Sequence, residues 1–265
     1  MELLKSIILG LVQGLSEFLP VSSSAHLILG SRLMNWEDQG LVFDVATHLG
    51  TLVAVLVYFR HELAGMLVSL TTTARSPKDE RNRVLVGYLL LASIPALAVG
   101  ALAHDLVELY LRDVRVIAVT TVLFGLVLWW SDVVGGKAGK IDSMSLRGAM
   151  TIGMAQALAL IPGVSRSGIT ITAGRFLGLG PDEAARFSFL LAIPVIGAAG
   201  GYGALRVATG DAVIDWFQFG LAVAFAAVAG WLCIAAFLAL LKRVGLLPFI
   251  LYRLALGAML FWVIL

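Results

Sequence analysis

Gln13-Gly14-Leu15-Ser16-Glu17-Phe18-Leu19-Pro20-Val21-Ser22-Ser23-Ser24-Ala25-His26 lies inside an apolar stretch running from Leu3 to Met34. The stretch is broken at Leu19-Pro20-Val21-Ser22-Ser23-Ser24. A second apolar stretch, Leu146–Leu179, is broken at Ile161-Pro162-Gly163-Val164-Ser165-Arg166-Ser167. Each half spans about 12–16 residues, short of the roughly 20 that a bilayer crossing needs. Halves of this length read as re-entrant hairpins. Irregular backbone at membrane depth survives only where it is buried in protein or lines a wet cavity.

The two breaks resemble each other. Gln13-Gly14-Leu15 overlays Gln156-Ala157-Leu158, and Val21-Ser22-Ser23-Ser24-Ala25 then falls on Val164-Ser165-Arg166-Ser167-Gly168 without a gap. This reads as an internal repeat, the first half over about 1–131 and the second over about 146–265. A cytoplasmic loop, 132–145, links them within one membrane domain, 1–265.

Composition supports that class. Of 265 residues, 60% are hydrophobic and 14% charged, against roughly 25% charged in soluble domains. A soluble globule is excluded, and so is disorder, which requires low hydrophobicity. A net charge of +2 makes no case for nucleic acid. The one cysteine, Cys233, rules out an internal disulfide and a cysteine metal site. Residues 1–26 carry some marks of a signal peptide, but Gln13 and Glu17 interrupt its would-be apolar core.

Six further segments read as full spans: Asp44–Phe59, Val84–Ala103, Val116–Ser131, Ala185–Leu205, Phe217–Leu241 and Leu246–Leu265. The expected fold is an all-α polytopic membrane protein with six transmembrane helices plus two re-entrant helical hairpins. Three crossings per repeat invert the second repeat relative to the first. Inverted repeats meet at a midplane site built from broken helices. The loops read as cytoplasmic carry Arg60, Arg75, Lys78, Arg81, Arg83, Lys137, Lys140, Arg147, Lys242 and Arg243. The opposite side carries Lys5, Arg32, Arg112, Arg115 and Arg206. That asymmetry follows the positive-inside rule and puts both termini outside. Trp129, Trp130, Trp216 and Trp262 fall near span ends, as interface anchors do.

Ionisable and polar groups inside apolar stretches are costly, which makes them functional candidates. The first hairpin holds Gln13, Glu17, Ser22, Ser23, Ser24 and His26. Gln13 and Glu17 are four apart and share a helix face. Pro20 stops that helix, and the serines stand where the next begins. A helix N-terminus with free N–H groups is an anion site. His26 follows Ser22 and Ser23 by four and three residues, which predicts a shared face. In the second hairpin Gly163 permits an unusual backbone turn, and Ser165 is the expected N-cap. Arg166 offers a planar fork for phosphate, and Ser167 and Thr170 add hydroxyls. This inventory suits a phosphate ester or diphosphate. A carboxylate beside phosphate needs an intervening divalent cation, Mg²⁺ first and Ca²⁺ as the alternative.

Blander readings exist for each group. Serine runs also serve helix packing, and Arg166 can pair with Glu17 as a structural bridge. Asp44 and His48 sit four apart at the head of a span, placed to line the same cavity. Asp182, Glu183 and Arg186 read as a helix start with a local ion pair.

The Gln13–His26 motif and the stretch Pro162-Gly163-Val164-Ser165-Arg166-Ser167-Gly168-Ile169-Thr170 resemble the two motifs of the undecaprenyl-diphosphate phosphatase, or bacitracin-resistance, family. The likeness runs the whole length, including Glu183–Pro194 and the Lys242-Arg243 turn. It implies a multi-pass hydrolase of the bacterial inner membrane acting on a polyprenyl diphosphate lipid. The lipid carrier of peptidoglycan synthesis is thereby recycled, and bacitracin resistance conferred. It further implies catalytic roles for Glu17, Ser23, His26 and Arg166, with Glu17 assisting a divalent metal. Gln13, Ser22, Ser24, Ser165, Ser167 and Thr170 would bind substrate. Position 13 is Gln here, where some members carry Glu. His26 is expected to handle the proton, activating Ser23 or a water. Charge placement opens the site to the outer face, and a homo-oligomer is compatible with the sequence.

Two alternatives stand beside this reading. One is a transporter or flippase of a phosphorylated polyprenyl lipid, since broken helices in inverted repeats are transporter features. The other, a type-2 phosphatidic-acid phosphatase, requires a histidine where Thr172 stands.

Overall fold

The computed structural model describes residues 2–34, 36, 40–72, 76–111, 113–136, 138–210 and 214–264. Arg75, Arg112, Lys137 and Leu265, which enter the reading above, lie outside them. Helices dominate: α1 (Glu2–Glu17), α2 (Ser23–Leu33), α3 (Gly40–Tyr58), α4 (Arg60–Thr71), α5 (Pro77–Tyr110), α6 (Val114–Val134), α7 (Leu146–Ala157), α8 (Arg166–Phe176), α9 (Pro181–Thr209), α10 (Trp216–Val244) and α11 (Leu247–Ile264). Short 3₁₀ turns sit at Ile141–Ser143 and Leu158–Leu160. Among the described residues the β pairing is one isolated bridge, Gly139 with Leu179.

Four helices are long and apolar enough to cross a membrane: Pro77–Leu102 within α5, and α6, α9 and α10. A fifth candidate joins Val42–Tyr58 to Arg60–Thr71 across a bend of 76°. The apolar part of α11, Leu247–Trp262, falls short of that length. Trp129, Trp130, Trp216 and Trp262 are all exposed near helix ends.

One expectation needs correcting. Arg60 begins not a loop but α4, a helix of 12 residues. The charges Arg60, His61 and Glu62 mimic a loop in sequence, yet each is consistent with a helix that lies partly on the protein surface. Met66 and Ser69 face inward. Glu62 is fixed by Arg186 of α9 at 2.5 Å. Arg83 of α5 caps the far end, donating to Ser69 O and Thr72 O at 2.6 and 2.7 Å. Free carbonyls at a helix C-terminus need such a partner. Within 132–145, α6 reaches Val134 and a 3₁₀ turn spans Ile141–Ser143. Arg186 keeps its local pairing with Glu183 at 3.6 Å, as expected.

Close helix contact rests on small residues. α10 packs along both α1 and α3. A Cβ added at Gly14 would meet Ala226 O at 2.6 Å, and one at Gly50 would meet Val223 O at 2.5 Å. Backbones this close gain dispersion contact that larger side chains forbid. Behind the two helix breaks runs an aromatic series. Phe18 meets Phe189 at 5.4 Å, Phe189 meets Phe237 at 5.7 Å, and Phe237 meets Phe249 at 4.7 Å between ring centroids. Phe18, Phe189 and Phe237 are buried, so the breaks rest on a rigid floor.

Gly50→Val is therefore expected to push α3 from α10 and destabilise the protein by about 1–3 kcal/mol, the usual cost of overpacking. Thermal unfolding in detergent would register a lower midpoint. Gly87→Ala, inside α5 with nothing within 4 Å, should not lower it, since alanine is the better helix former. An unaltered midpoint for Gly50→Val would contradict this packing.

Candidate active site

Both breaks use the same local device. α1 ends at Glu17 ahead of Pro20, and α7 with its 3₁₀ turn ends ahead of Pro162. Proline lacks an N–H and cannot continue a helix. The next helices then start from a serine with positive φ, +72° at Ser22 and +69° at Ser165. Such a conformation costs a non-glycine residue about 1–3 kcal/mol and persists only where the surroundings impose it. The side chains repay part of that cost. Ser22 Oγ accepts from Ala25 N at 3.4 Å, and Ser165 Oγ accepts from Gly168 N at 3.1 Å. Ser22 and Ser24 hydroxyls lie 3.1 Å apart, and those of Ser165 and Ser167 3.2 Å apart. Gly163, at φ +90°, has a Cβ position blocked by Ile117 O at 2.6 Å.

The two tips bind each other. Ser167 Oγ donates to Leu19 O at 2.7 Å, and Gly163 N donates to Ser24 Oγ at 3.3 Å. This interlock brings the N-termini of α2 and α8 to one place. Thr120 and Thr121 of α6 brace the second tip by donating to Pro162 O and Gly163 O at 2.7 and 3.4 Å.

Glu17 is the centre of the site. Its carboxylate accepts from Gln13 Nε2 at 2.9 Å, Ser23 Oγ at 3.0 Å and Arg166 Nη2 at 3.4 Å. The side chains of Arg166 and Glu17 are only 11% and 8% exposed, so this is a buried ion pair. Arg166 also donates to Ser188 O at 3.3 Å and lies 6.0 Å from the Phe18 ring centre. Thr170 is 2.6 Å from the Ser188 hydroxyl and donates to Arg166 O at 2.8 Å. Thr170 thus braces the turn that carries Arg166.

Two buried polar atoms of this network have no partner: Gln13 Oε1 and Arg166 Nε. A native site rarely leaves buried groups unsatisfied without a ligand or water to meet them. One is an acceptor beside a carboxylate and the other a donor on a phosphate-matching fork.

His26 departs from its expected partner. Ser23 turns to Glu17, while His26 Nδ1 donates to Ser22 O at 2.7 Å. With Nδ1 protonated, Nε2 of the neutral ring accepts from Tyr252 O–H at 2.7 Å. The sequence suggested a shared face for Ser23 and His26. Both residues lie in α2, three apart, and their side chains take different partners, Ser23 toward α1 and His26 toward α11. His26 and Tyr252 edge an apolar cleft of about 380 Å³, whose walls include Leu15, Leu19, Val21 and Phe249.

Sequence reasoning thus named Gln13, Glu17, Ser22, Ser23, Ser24, Ser165, Arg166, Ser167 and Thr170, which the structure gathers at the two tips, and His26 at their edge. His48 joins through a 3.4 Å contact with Gln13 Nε2. Tyr252, Arg253 and Ser188 went unnoticed. Arg253 had a visible signal, a lone cation within the apolar run Leu246–Leu265. Tyr252 and Ser188 had none, because only the fold brings them to the tips.

Known proteins place the same residues in context. The model of the family "Bacitracin resistance protein BacA" matches residues 6–259. "Undecaprenyl-diphosphatase" of Colwellia psychrerythraea is 51% identical over 272 aligned residues, covering 100% of both chains. The protein of that name from Teredinibacter turnerae is 50% identical, covering 98% of this chain and 99% of its own. "Undecaprenyl-diphosphatase 2" of Stutzerimonas stutzeri is 51% identical, covering 98% and 97%. Likeness of this extent takes in both helix breaks and the helices that hold them, and the chain belongs to the bacitracin resistance protein BacA family.

Proposed function

We propose that this protein hydrolyses undecaprenyl diphosphate to undecaprenyl phosphate and inorganic phosphate, recycling the lipid carrier of cell-wall synthesis. Relatives that carry this activity in their names are about half identical over nearly the whole chain. The observation that carries the chemistry is Glu17, which accepts a hydrogen bond from the Ser23 hydroxyl, oxygen to oxygen 3.0 Å, while paired with Arg166. The transport alternative has no comparable support.

Phosphoryl transfer needs positioning and charge compensation more than covalent work. Arg166 Nε, free of other partners, and the N-terminal N–H groups of α2 and α8 supply donors for phosphate oxygens. Ser23 Oγ attacks the terminal phosphorus while Glu17 takes its proton. The anhydride bond breaks and undecaprenyl phosphate leaves. Water then attacks the phosphoserine, its proton passing to His26 Nε2 as the Tyr252 hydrogen bond gives way, and Glu17 returns its proton to Ser23 Oγ as phosphate leaves. The apolar cleft beside His26 and Tyr252 takes the first units of the lipid tail.

A divalent cation, Mg²⁺ or Ca²⁺, fits the donors. Among the described residues no group of three or more His, Cys, Asp or Glu could hold one alone. Gln13 Oε1, buried and unpartnered beside Glu17, supplies a second oxygen. Mg²⁺ typically uses one or two protein ligands and fills its shell with water and phosphate. When bound, it would offset phosphate charge next to Glu17.

The matching turns at Ser22 and Ser165 support an inverted repeat, with six crossings and two hairpins that enter without crossing. Positive charge then favours an inner-membrane protein whose site opens to the outer face.

Purified protein in detergent should release phosphate from undecaprenyl diphosphate, with EDTA suppressing release. Glu17→Gln, Ser23→Ala and His26→Ala should each lose about a hundredfold or more in kcat. Rapid quenching with labelled substrate should trap phosphoserine. No release with any divalent cation would sink the phosphatase reading, and release without a trapped phosphoserine would make water the nucleophile.

Topology is tested separately at Ser76, an exposed residue at the start of α5. A membrane-impermeant thiol reagent added outside intact cells should leave Ser76→Cys unlabelled. The native Cys233 is buried and adds no background. Labelling from outside would reverse the orientation.

A further inference from the structure

Arg253 is fully buried in α11, at 0% exposure. Its guanidinium donates to four carbonyls on three segments. Nε reaches Thr121 O of α6 at 2.9 Å. Nη1 reaches Pro20 O of the first tip at 3.4 Å. Nη2 reaches Gly163 O and Val164 O of the second tip at 2.7 and 2.6 Å. The last three carbonyls belong to the residues just before α2 and α8. A single planar group therefore fixes both helix starts relative to each other. Lysine could not do this, because its donors radiate from one nitrogen.

The charge matters as much as the geometry. Among the described residues none of the ion pairs involves Arg253. Burying an unpaired cation is costly, and four carbonyl dipoles offset that only in part. Within the network, Glu17 and Arg166 cancel each other. Arg253 is then the charge that sets the sign of the site. It stands behind helix N-termini whose dipoles are also positive. Without it, the assembled tips would present a neutral pair to a multiply charged anion.

We propose that Arg253 is a positioning residue for the phosphate site, clamping the two hairpin tips together and supplying the net positive charge that draws a diphosphate head group to them. The proposal rests on the phosphatase reading above. It concerns head-group binding first and turnover second, so the two can fail separately.

The test compares wild type, Arg253→Gln and Arg253→Lys as full-length protein in detergent. Inorganic pyrophosphate serves as the probe, titrated calorimetrically in EDTA so that the charge is the protein's own. Arg253→Gln should bind pyrophosphate about tenfold more weakly, as loss of one nearby buried charge implies. Its kcat on undecaprenyl diphosphate should fall about a hundredfold, as misplacement by about an ångström does. Arg253→Lys should restore pyrophosphate affinity while kcat stays low, a split that a merely structural role would not produce. Equal pyrophosphate affinity in wild type and Arg253→Gln would overturn the electrostatic part. Wild-type kcat in Arg253→Lys would overturn the clamp. Activity lost only in proportion to unfolded protein, with KM and pyrophosphate affinity intact in the remainder, would overturn both.

Should Arg253→Gln fail to fold, Gly168→Ala takes its place. The added methyl would sit 2.6 Å from Arg253 Nη1, displacing the guanidinium while keeping its charge. Lower kcat with unchanged pyrophosphate affinity is expected, and unchanged kcat would overturn the clamp. Pyrophosphate binding that depends on Arg253 in a protein that releases no phosphate would refute the phosphatase reading and leave this inference standing. No pyrophosphate binding by wild type would refute this inference whatever the activity.

Discussion

A carboxylate and a guanidinium buried together inside an apolar helical protein constrain everything around them. Glu17 and Arg166 are each about nine-tenths shielded from solvent. Either charge alone would be destabilising by several kcal/mol at that depth, and removal of one partner typically costs about 3–5 kcal/mol. They come from separate hairpins, 149 positions apart. The fold must therefore hold two helix breaks in register. It does so with reciprocal contacts between the tips, the bracing threonines of α6 and the Arg253 clamp.

That requirement explains why strain is tolerated where it is. Ser22 and Ser165 adopt matching, unfavourable backbone turns. A straight helix at either place would bury its N–H groups in its own hydrogen bonds. The turn instead starts α2 and α8 afresh beside each other, with a cap hydroxyl on one N–H of each. Glycine and alanine contacts between α1, α3 and α10 provide the rigidity that keeps those turns from relaxing. Stability far from the tips and chemistry at the tips are thus linked through packing.

Much of this was legible in the sequence. Broken apolar stretches, a serine or serine–arginine at each break, and a repeated glutamine ahead of them identified both tips and most of the polar residues there. The legible signal was local: polar groups in the wrong solvent, next to proline. What escaped was nonlocal or disguised. Ser23 pairs with Glu17, six positions back across the helix break, because the turn at Ser22 folds α2 back onto α1, and no periodicity encodes a contact across a break. Tyr252 reaches His26 across 226 positions. α4 was hidden by charges that look like a loop, although Glu62 pairs with Arg186 in space and Arg83 caps the far end of the helix. Gln156, aligned with Gln13, is buried with its amide unpartnered. The repeat therefore preserves the residue without preserving its hydrogen bonds.

The central claim is that the two tips act as one coupled unit through Glu17 and Arg166. A double-mutant cycle on kcat/KM with Glu17→Gln, Arg166→Lys and the pair tests it most directly. The account predicts strong coupling, about 1–3 kcal/mol, with the double variant little worse than the poorer single variant. Losses that simply multiply would mean that the two residues act independently and would contradict the account.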